Sequence, residues 1–192
     1  MTETTTSGHT TKPSFSRRTV SGGGRIRDVV PAQRRSPLAG AAKATEPTER
    51  RLYWADGSNL NVSQMHARCP GAMAHGPLIL HSNVLRFRRV ADVVAHEASH
   101  CPGGLWWISP EDERALDRYE GVKSKVYEKR YMRVAVDGTA IDCLYYKMLR
   151  GEITPPSDGY LQIIAQGYRD FGLDMEPLEA AVRHAWTHKT RR

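Results

Sequence analysis

The chain changes composition at about residue 50, and this boundary limits how much of it can form a folded core. Residues 1–50 are rich in Thr, Ser, Gly, Pro, Ala and Arg, and Phe15 is their one aromatic residue. Such a segment cannot bury enough apolar surface to offset the entropy lost on ordering it. We therefore expect a disordered basic leader at 1–50, for which an organelle transit peptide is a second interpretation, and a folded domain at 51–192.

The basic charge follows the same boundary. Residues 1–50 contain nine Lys or Arg and four Asp or Glu, whereas residues 51–192 contain nineteen and seventeen. Because nucleic-acid-binding domains concentrate positive charge on a folded face, no nucleic-acid partner is expected for the folded domain. No apolar run approaches the roughly 18–20 residues of a membrane span, and three cysteines without a CxxC motif favour reduced thiols. We expect a cytoplasmic protein without a membrane partner, and its oligomeric state is left open.

Patterns of apolar residues and turn signals predict an α+β fold. Ser109, followed by Pro110 and Asp112, is typical of a helix N-terminus, and Asp137-Gly138 is a strong hairpin signal. The hairpins and few crossovers favour a mainly antiparallel, partly closed sheet with helices around it. The expected strands cover residues 52–55, 77–89 (with a break at Ser82-Asn83), 103–108, 126–136 and 139–148. The expected helices cover 61–68, 110–121, 157–172 and about 176–188.

Gly57, Ser58 and Asn59 form the first candidate site, between an apolar strand and the start of a helix. Exposed N–H groups at a helix start favour an anion or a developing oxyanion, and the Ser and Asn side chains add donors. An ordinary turn with an Asn cap explains the same residues, because all three residue types are common in turns.

Glu120 is the second candidate, where Gly121 ends a helix. A carboxylate at a helix C-terminus faces the negative end of the helix dipole, which raises its pKa and suits it to proton transfer near neutral pH. A solvated glutamate before a C-cap glycine is the alternative.

Four segments, taken in chain order, resemble one known family. Residues 53–60 (YWADGSNL) resemble its strand-and-loop signature, usually YFAYGSNL, and residues 116–122 (LDRYEGV), followed by Tyr127, resemble its catalytic segment. Tyr146 matches a tyrosine of the next strand, and residues 155–160 (PPSDGY) resemble the motif that opens its last core helix. By these motifs nearly the whole folded part is similar to the γ-glutamylcyclotransferases.

The resemblance implies a mainly antiparallel, partly closed β-barrel with surrounding helices. It also implies an enzyme, without a cofactor, that cyclises a small γ-glutamyl amide or peptide to 5-oxoproline and releases an amine or amino acid. Glu120 would be its general acid/base. The implied substrate-binding residues are Tyr53, Asp56, Gly57, Ser58, Asn59, Leu60, Tyr127 and Tyr146.

Asp56 departs from the family pattern, which commonly has tyrosine at this position. An additional anion beside the loop would either repel a carboxylate of the substrate or pair with its α-ammonium group. The physiological substrate and its leaving group are therefore left open. A relative that binds small molecules without turnover is also compatible with this change.

The segment His96-Glu97-Ala98-Ser99-His100 matches HExxH and indicates a different enzyme class. On a helix, His96 and His100 would lie on one face and bind zinc, with Glu97 as the base. Pro102 and the glycines after it interrupt any helix directly after the second histidine. A zinc-dependent hydrolase is the alternative to the main interpretation, in which no metal is expected.

Overall fold

The computed structural model describes residues 50–190, so the leader expected at 1–50 lies, apart from Arg50, outside the described residues. Within this range, strands β1 to β5 run over Arg51–Ala55, Met73–Arg88, Val90–Ile108, Tyr127–Val136 and Thr139–Met148. Helices α1 to α4 run over Val62–Arg68, Pro110–Tyr119, Asp158–Asp170 and Glu176–Thr190, and a 3-10 turn covers Ser58–Leu60. None of these helices combines the length and the apolar character that crossing a membrane requires.

The strands form one mixed sheet in the order β2-β3-β1-β5-β4. Strand β1 is central, antiparallel to β3 and parallel to β5, and the other two pairings are antiparallel. The α+β class and the mainly antiparallel sheet are therefore confirmed. The expected barrel closure is not formed by strand pairing within residues 50–190. Strands β2 and β4 belong to separate hairpins that join β1 through their inner strands, and this leaves β2 and β4 as the edges of an open sheet.

Two local signals form the structures that they predict. Asp137 and Gly138 both have positive φ, 49° and 79°, in the tight turn between β4 and β5, as a type I′ hairpin requires. The Ser109 Oγ accepts from the Asp112 backbone N–H at 3.1 Å, and the Asp112 carboxylate accepts from the Ser109 N–H at 2.9 Å. This capping box fixes the start of α2.

Strands β2 and β3 form a longer hairpin than the sequence predicts. Strand β3 begins at Val90 rather than Gly103, because its polar middle obtains its hydrogen bonds from β2 without showing an apolar pattern. The strand break expected at Ser82-Asn83 is not formed, because β2 continues through both residues; instead Ser82 has a φ of 55° and the pairing shifts register there, as in a β-bulge.

The HExxH segment lies in β3 rather than on a helix. His96, Glu97 and His100 are exposed, and residues 96–99 bulge opposite Ser82. Within residues 50–190, no group of three His, Cys, Asp or Glu side chains is arranged to hold a metal ion. The zinc alternative is therefore wrong in its structural premise, because the helix that would align the two histidines is not formed.

Leu60 belongs to the core rather than to a binding surface. Its side chain is fully buried where the 3-10 turn packs against α3. Gly167 of α3 allows this close approach, since a Cβ at this position would lie 2.4 Å from the Leu60 Cβ. The expectation that Leu60 binds substrate is therefore corrected, because its side chain anchors the loop to α3.

We expect Gly167→Ala to destabilise the protein by about 1–3 kcal/mol, because the added methyl group overpacks the contact with Leu60. Gly159→Ala is the matched control in the same helix, where an added Cβ meets nothing within 4 Å. It should be neutral or stabilising by up to about 1 kcal/mol. Urea unfolding of both variants measures the difference, and equal stability of the two would contradict the packing argument.

Candidate active site

The C-terminal end of β1 opens into a cavity of about 270 Å³. Glu120 and seven of the eight predicted substrate-binding residues line this cavity: Tyr53, Asp56, Gly57, Ser58, Asn59, Tyr127 and Tyr146. Leu60 is the exception. The start of β3, at Val90 and Ala91, forms another wall.

The loop after β1 turns tightly into the cavity wall. The Leu60 N–H donates to the Gly57 carbonyl at 2.9 Å, which closes the 3-10 turn, and Asn61 then caps α1 through its side chain. A Cβ on Gly57 would lie 3.2 Å from both the Ala91 Cβ and the Tyr160 Oη. Glycine therefore allows the loop to approach the neighbouring strand and helix closely.

Glu120 is the C-cap residue of α2, and its side chain turns toward the loop. The helix ends because Gly121 adopts a left-handed conformation with a φ of 64°. The Glu120 Oε1 accepts a hydrogen bond from the Asn59 Nδ2 at 3.0 Å. Burial raises the pKa of Glu120 to about 7, and the Arg68 charge and the Asn59 donor partly oppose this shift. The raised pKa that the sequence predicts is therefore present, but burial is its main cause rather than the helix dipole.

Asn59 is buried, and its side chain is hydrogen-bonded to three other side chains. Its Nδ2 donates to the Tyr53 Oη at 2.9 Å as well as to Glu120, and its Oδ1 accepts from Arg68 at 2.5 Å. All polar atoms of this amide are thus engaged, and this holds the side chain in one orientation.

Asp56 places a second carboxyl group on the cavity wall. Burial, together with the negative charges of Asp92 and Glu120, raises its pKa to about 7, and Lys147 partly opposes this shift. Asp92 is fully paired, with Arg88 Nε at 2.9 Å and Lys147 Nζ at 2.7 Å. Within residues 50–190 no side chain of another residue is hydrogen-bonded to Asp56.

Tyrosines surround the two carboxyl groups. The Tyr146 Oη donates to Asp117 at 2.8 Å, the Tyr127 Oη donates to the Ala91 carbonyl at 3.0 Å, and the Tyr160 Oη accepts from the Ala91 N–H at 3.1 Å. Burial raises the pKa of each of these hydroxyls, so they remain neutral. The Tyr160 O–H, having accepted one bond, is still able to donate.

Sequence reasoning missed Arg68, Tyr119 and Tyr160. Tyr160 stands in the PPSDGY motif and Tyr119 directly precedes Glu120, so both had a positional signal. Both line the cavity. Arg68 had no such signal, because its contacts depend on how α1 folds back over the loop.

Comparison with known proteins shows the family to which this chain belongs. Residues 100–178 match the model of the AIG2-like family. The γ-glutamylcyclotransferase of Homo sapiens is 31% identical over 152 residues, covering 72% of this chain and 81% of the human protein. That of Bos taurus is 30% identical over 138 residues, covering 65% and 73%. A solved γ-glutamyl cyclotransferase structure aligns with a TM-score of 0.63 at 30% identity, covering 69% of this chain and 86% of that one. The chain belongs to the γ-glutamylcyclotransferase family.

Proposed function

We propose that this protein cyclises a γ-glutamyl compound to 5-oxoproline and releases an amine or amino acid. The observation that carries the proposal is Glu120, a carboxyl group on the cavity wall whose pKa of about 7 allows it both to accept and to donate a proton near neutral pH. No other reactant is needed, because the nucleophile and the electrophile are in the same molecule.

The reaction moves two protons from the attacking nitrogen to the leaving nitrogen. Ionised Glu120 takes the first proton from the substrate's α-ammonium group, and the freed amine attacks the γ-carbonyl carbon. A carbon–nitrogen bond forms as the ring closes, and the bond to the leaving nitrogen breaks as Glu120 gives its proton to that nitrogen. The ring nitrogen sheds its second proton as it becomes an amide, and the released amine takes up a proton to leave as an ammonium ion. Holding the chain curled supplies much of the rate, since the attack is intramolecular.

The loop residues Gly57, Ser58 and Asn59 are proposed to bind the glutamyl end of the substrate or the developing oxyanion. Their support is that all three line the cavity where the 3-10 turn begins, since backbone N–H groups at such a position are suited to binding an anion or an oxyanion. Tyr53, Tyr127 and Tyr146 are proposed to shape the pocket, since all three line it and the hydroxyl groups of all three are already hydrogen-bonded within the protein.

We expect Glu120→Gln to lower kcat for 5-oxoproline release by about 10²–10⁴-fold, as loss of a general acid/base does. The amide oxygen of Gln still accepts from Asn59, so the free energy of unfolding should change little. Glu111→Gln is the matched control, because Glu111 is an exposed glutamate of the same helix. Full turnover by Glu120→Gln would refute the mechanism. Binding of γ-glutamyl compounds by the unmodified protein without turnover would favour the non-catalytic alternative.

The activity should also fall as the pH is lowered below the pKa of Glu120. The carboxylate form of Glu120 must take the first proton, and that form is lost as pH falls through its pKa of about 7. We therefore expect kcat/KM to fall tenfold per pH unit well below this value. A profile from pH 5 to pH 9 measures it, and a rate that is constant down to pH 5 would contradict the assignment.

The negative charge of Asp56 is expected to influence which leaving groups the site accepts. Of the described residues that line the cavity, two are acids and none is Lys, Arg or His. A second carboxylate on the substrate would meet Asp56 without a compensating cation. We propose that substrates whose leaving group has no carboxylate are favoured.

Two substrates that differ by one carboxylate test this idea, γ-glutamylethylamine and γ-glutamylalanine. We expect the unmodified protein to favour γ-glutamylethylamine. Asp56→Asn should reduce that preference about fivefold, since repulsion between two carboxylates in a partly solvated cavity costs on the order of 1 kcal/mol. The ratio of kcat/KM values is the measurement. If Asp56→Asn weakens both substrates equally, Asp56 pairs with the α-ammonium group instead.

The cysteines support the cytoplasmic location that the sequence predicts. Cys69, Cys101 and Cys143 are all buried free thiols, and burial raises the pKa of each. Free thiols are the usual state in a reducing compartment, so a cytoplasmic location is part of the proposal.

A further inference from the structure

Arg68, the last residue of α1, does not line the cavity but contacts three residues that do. Its guanidinium donates to the Ser58 Oγ at 3.1 Å, to the Asn59 Oδ1 at 2.5 Å and to the Tyr119 Oη at 2.5 Å. It also stacks on the Tyr119 ring, with 3.6 Å between the guanidinium carbon and the ring centroid. Gln64, one turn earlier, accepts from the same guanidinium at 2.7 Å.

This contact decides which way the Asn59 amide faces. A guanidinium can only donate hydrogen bonds, so the amide oxygen of Asn59 must be the atom that faces Arg68. The amide nitrogen is then directed to the opposite side, where it donates to Glu120 and Tyr53. With the amide reversed, its oxygen would face the Glu120 carboxylate and repel it.

The charge of Arg68 acts on the same carboxyl group. Burial is the main cause that raises the pKa of Glu120, and Arg68 is the positive charge that opposes it. Tyr53, Tyr127, Tyr146 and Tyr160 also face Glu120 but are neutral, and Asp56 is the other acid nearby. Arg68 therefore acts on Glu120 in two separable ways, by orienting its donor and by favouring its ionised form.

We propose that Arg68 is a positioning residue for the cyclisation, which it serves by fixing the Asn59 amide toward Glu120 and by holding the Glu120 carboxyl ready to accept the substrate's proton. This inference rests on the proposed function for its catalytic part. Its electrostatic part concerns the protein alone and is measurable without any substrate.

Two variants separate the two effects. Arg68→Lys keeps the positive charge but loses the planar fork that engages Ser58, Asn59 and Tyr119 together. Arg68→Gln removes the charge but keeps an N–H donor for Asn59. Arg114→Gln is the matched control, because Arg114 is an exposed arginine of α2 with no contact to the cavity.

The first measurement is the titration of Glu120 in the full chain, followed by NMR of 13C-labelled glutamate carboxyl groups and assigned by the signal missing in Glu120→Gln. We expect Arg68→Gln to move the midpoint upward by at least half a pH unit, because loss of a nearby positive charge disfavours the carboxylate. Arg68→Lys should move it less, and Arg114→Gln not at all. An unchanged midpoint in Arg68→Gln would overturn the electrostatic part, whether or not the protein turns over any γ-glutamyl substrate.

The second measurement is kcat and KM as functions of pH, with urea unfolding alongside. We expect Arg68→Gln to shift the acidic limb of the rate profile upward and to lower kcat at least tenfold, with a smaller change in KM. In Arg68→Lys, the acidic limb of the rate profile should lie at the same pH as in the unmodified protein, but kcat should remain lower. If Arg68→Lys recovers full kcat, orientation of Asn59 by the fork is refuted. If losses in kcat only follow losses in stability, the role of Arg68 is structural.

Discussion

The hydrogen bond between the Asn59 amide and the Glu120 carboxyl is the contact on which the site depends. It joins the loop after β1 to the end of α2, two segments sixty-one residues apart in sequence, across the mouth of a tyrosine-lined cavity. A carboxyl group in such surroundings loses solvation, which raises its pKa, and a single amide donor with one nearby cation only partly restores the ionised form. Removing the donor or the cation is therefore expected to raise the pKa of Glu120 further, and the proposed proton transfer near neutral pH depends on this balance.

The position of β1 explains why the loop reaches this cavity. As the central strand it is held from both sides, by β3 and by β5, so its C-terminal end is fixed in the sheet. The short helical turn that follows is then fastened by Leu60 against Gly167 of α3. A loop anchored at both ends can present its backbone and the Asn59 side chain in one arrangement, as a preorganised site requires.

Those parts of the molecule that rest on local chemistry could be predicted from the sequence. The hairpin at Asp137 needs positive φ, and the capping box at Ser109 satisfies its own donors. Of the motif residues, Tyr53, those from Asp56 to Asn59, and Glu120 line one cavity, as the family resemblance implies. The length of β3 could not be predicted, because its polar middle is held by pairing with β2 and has no periodic signal. The HExxH segment lies in this part of β3, so the absence of a periodic signal also left a helical interpretation open. Arg68 was beyond prediction because its contacts with Ser58, Asn59 and Tyr119 depend on how α1 folds back over the loop.

Asp56 differs from Glu120 in the availability of a nearby cation. The nearby cation Lys147 is already engaged, with its Nζ donating to Asp92 at 2.7 Å and to the Val93 carbonyl at 2.6 Å. Asp92, with a side chain only 1% exposed, needs both Lys147 and Arg88, since an unpaired buried charge is strongly unfavourable. Asp56 consequently keeps a raised pKa, to which burial and the negative charges of Asp92 and Glu120 contribute. In the proposed function, a cation brought by the substrate would stabilise the ionised forms of Asp56 and Glu120, and an added carboxylate would oppose them. We therefore expect the charge of the substrate to help set the protonation state of the site that receives it.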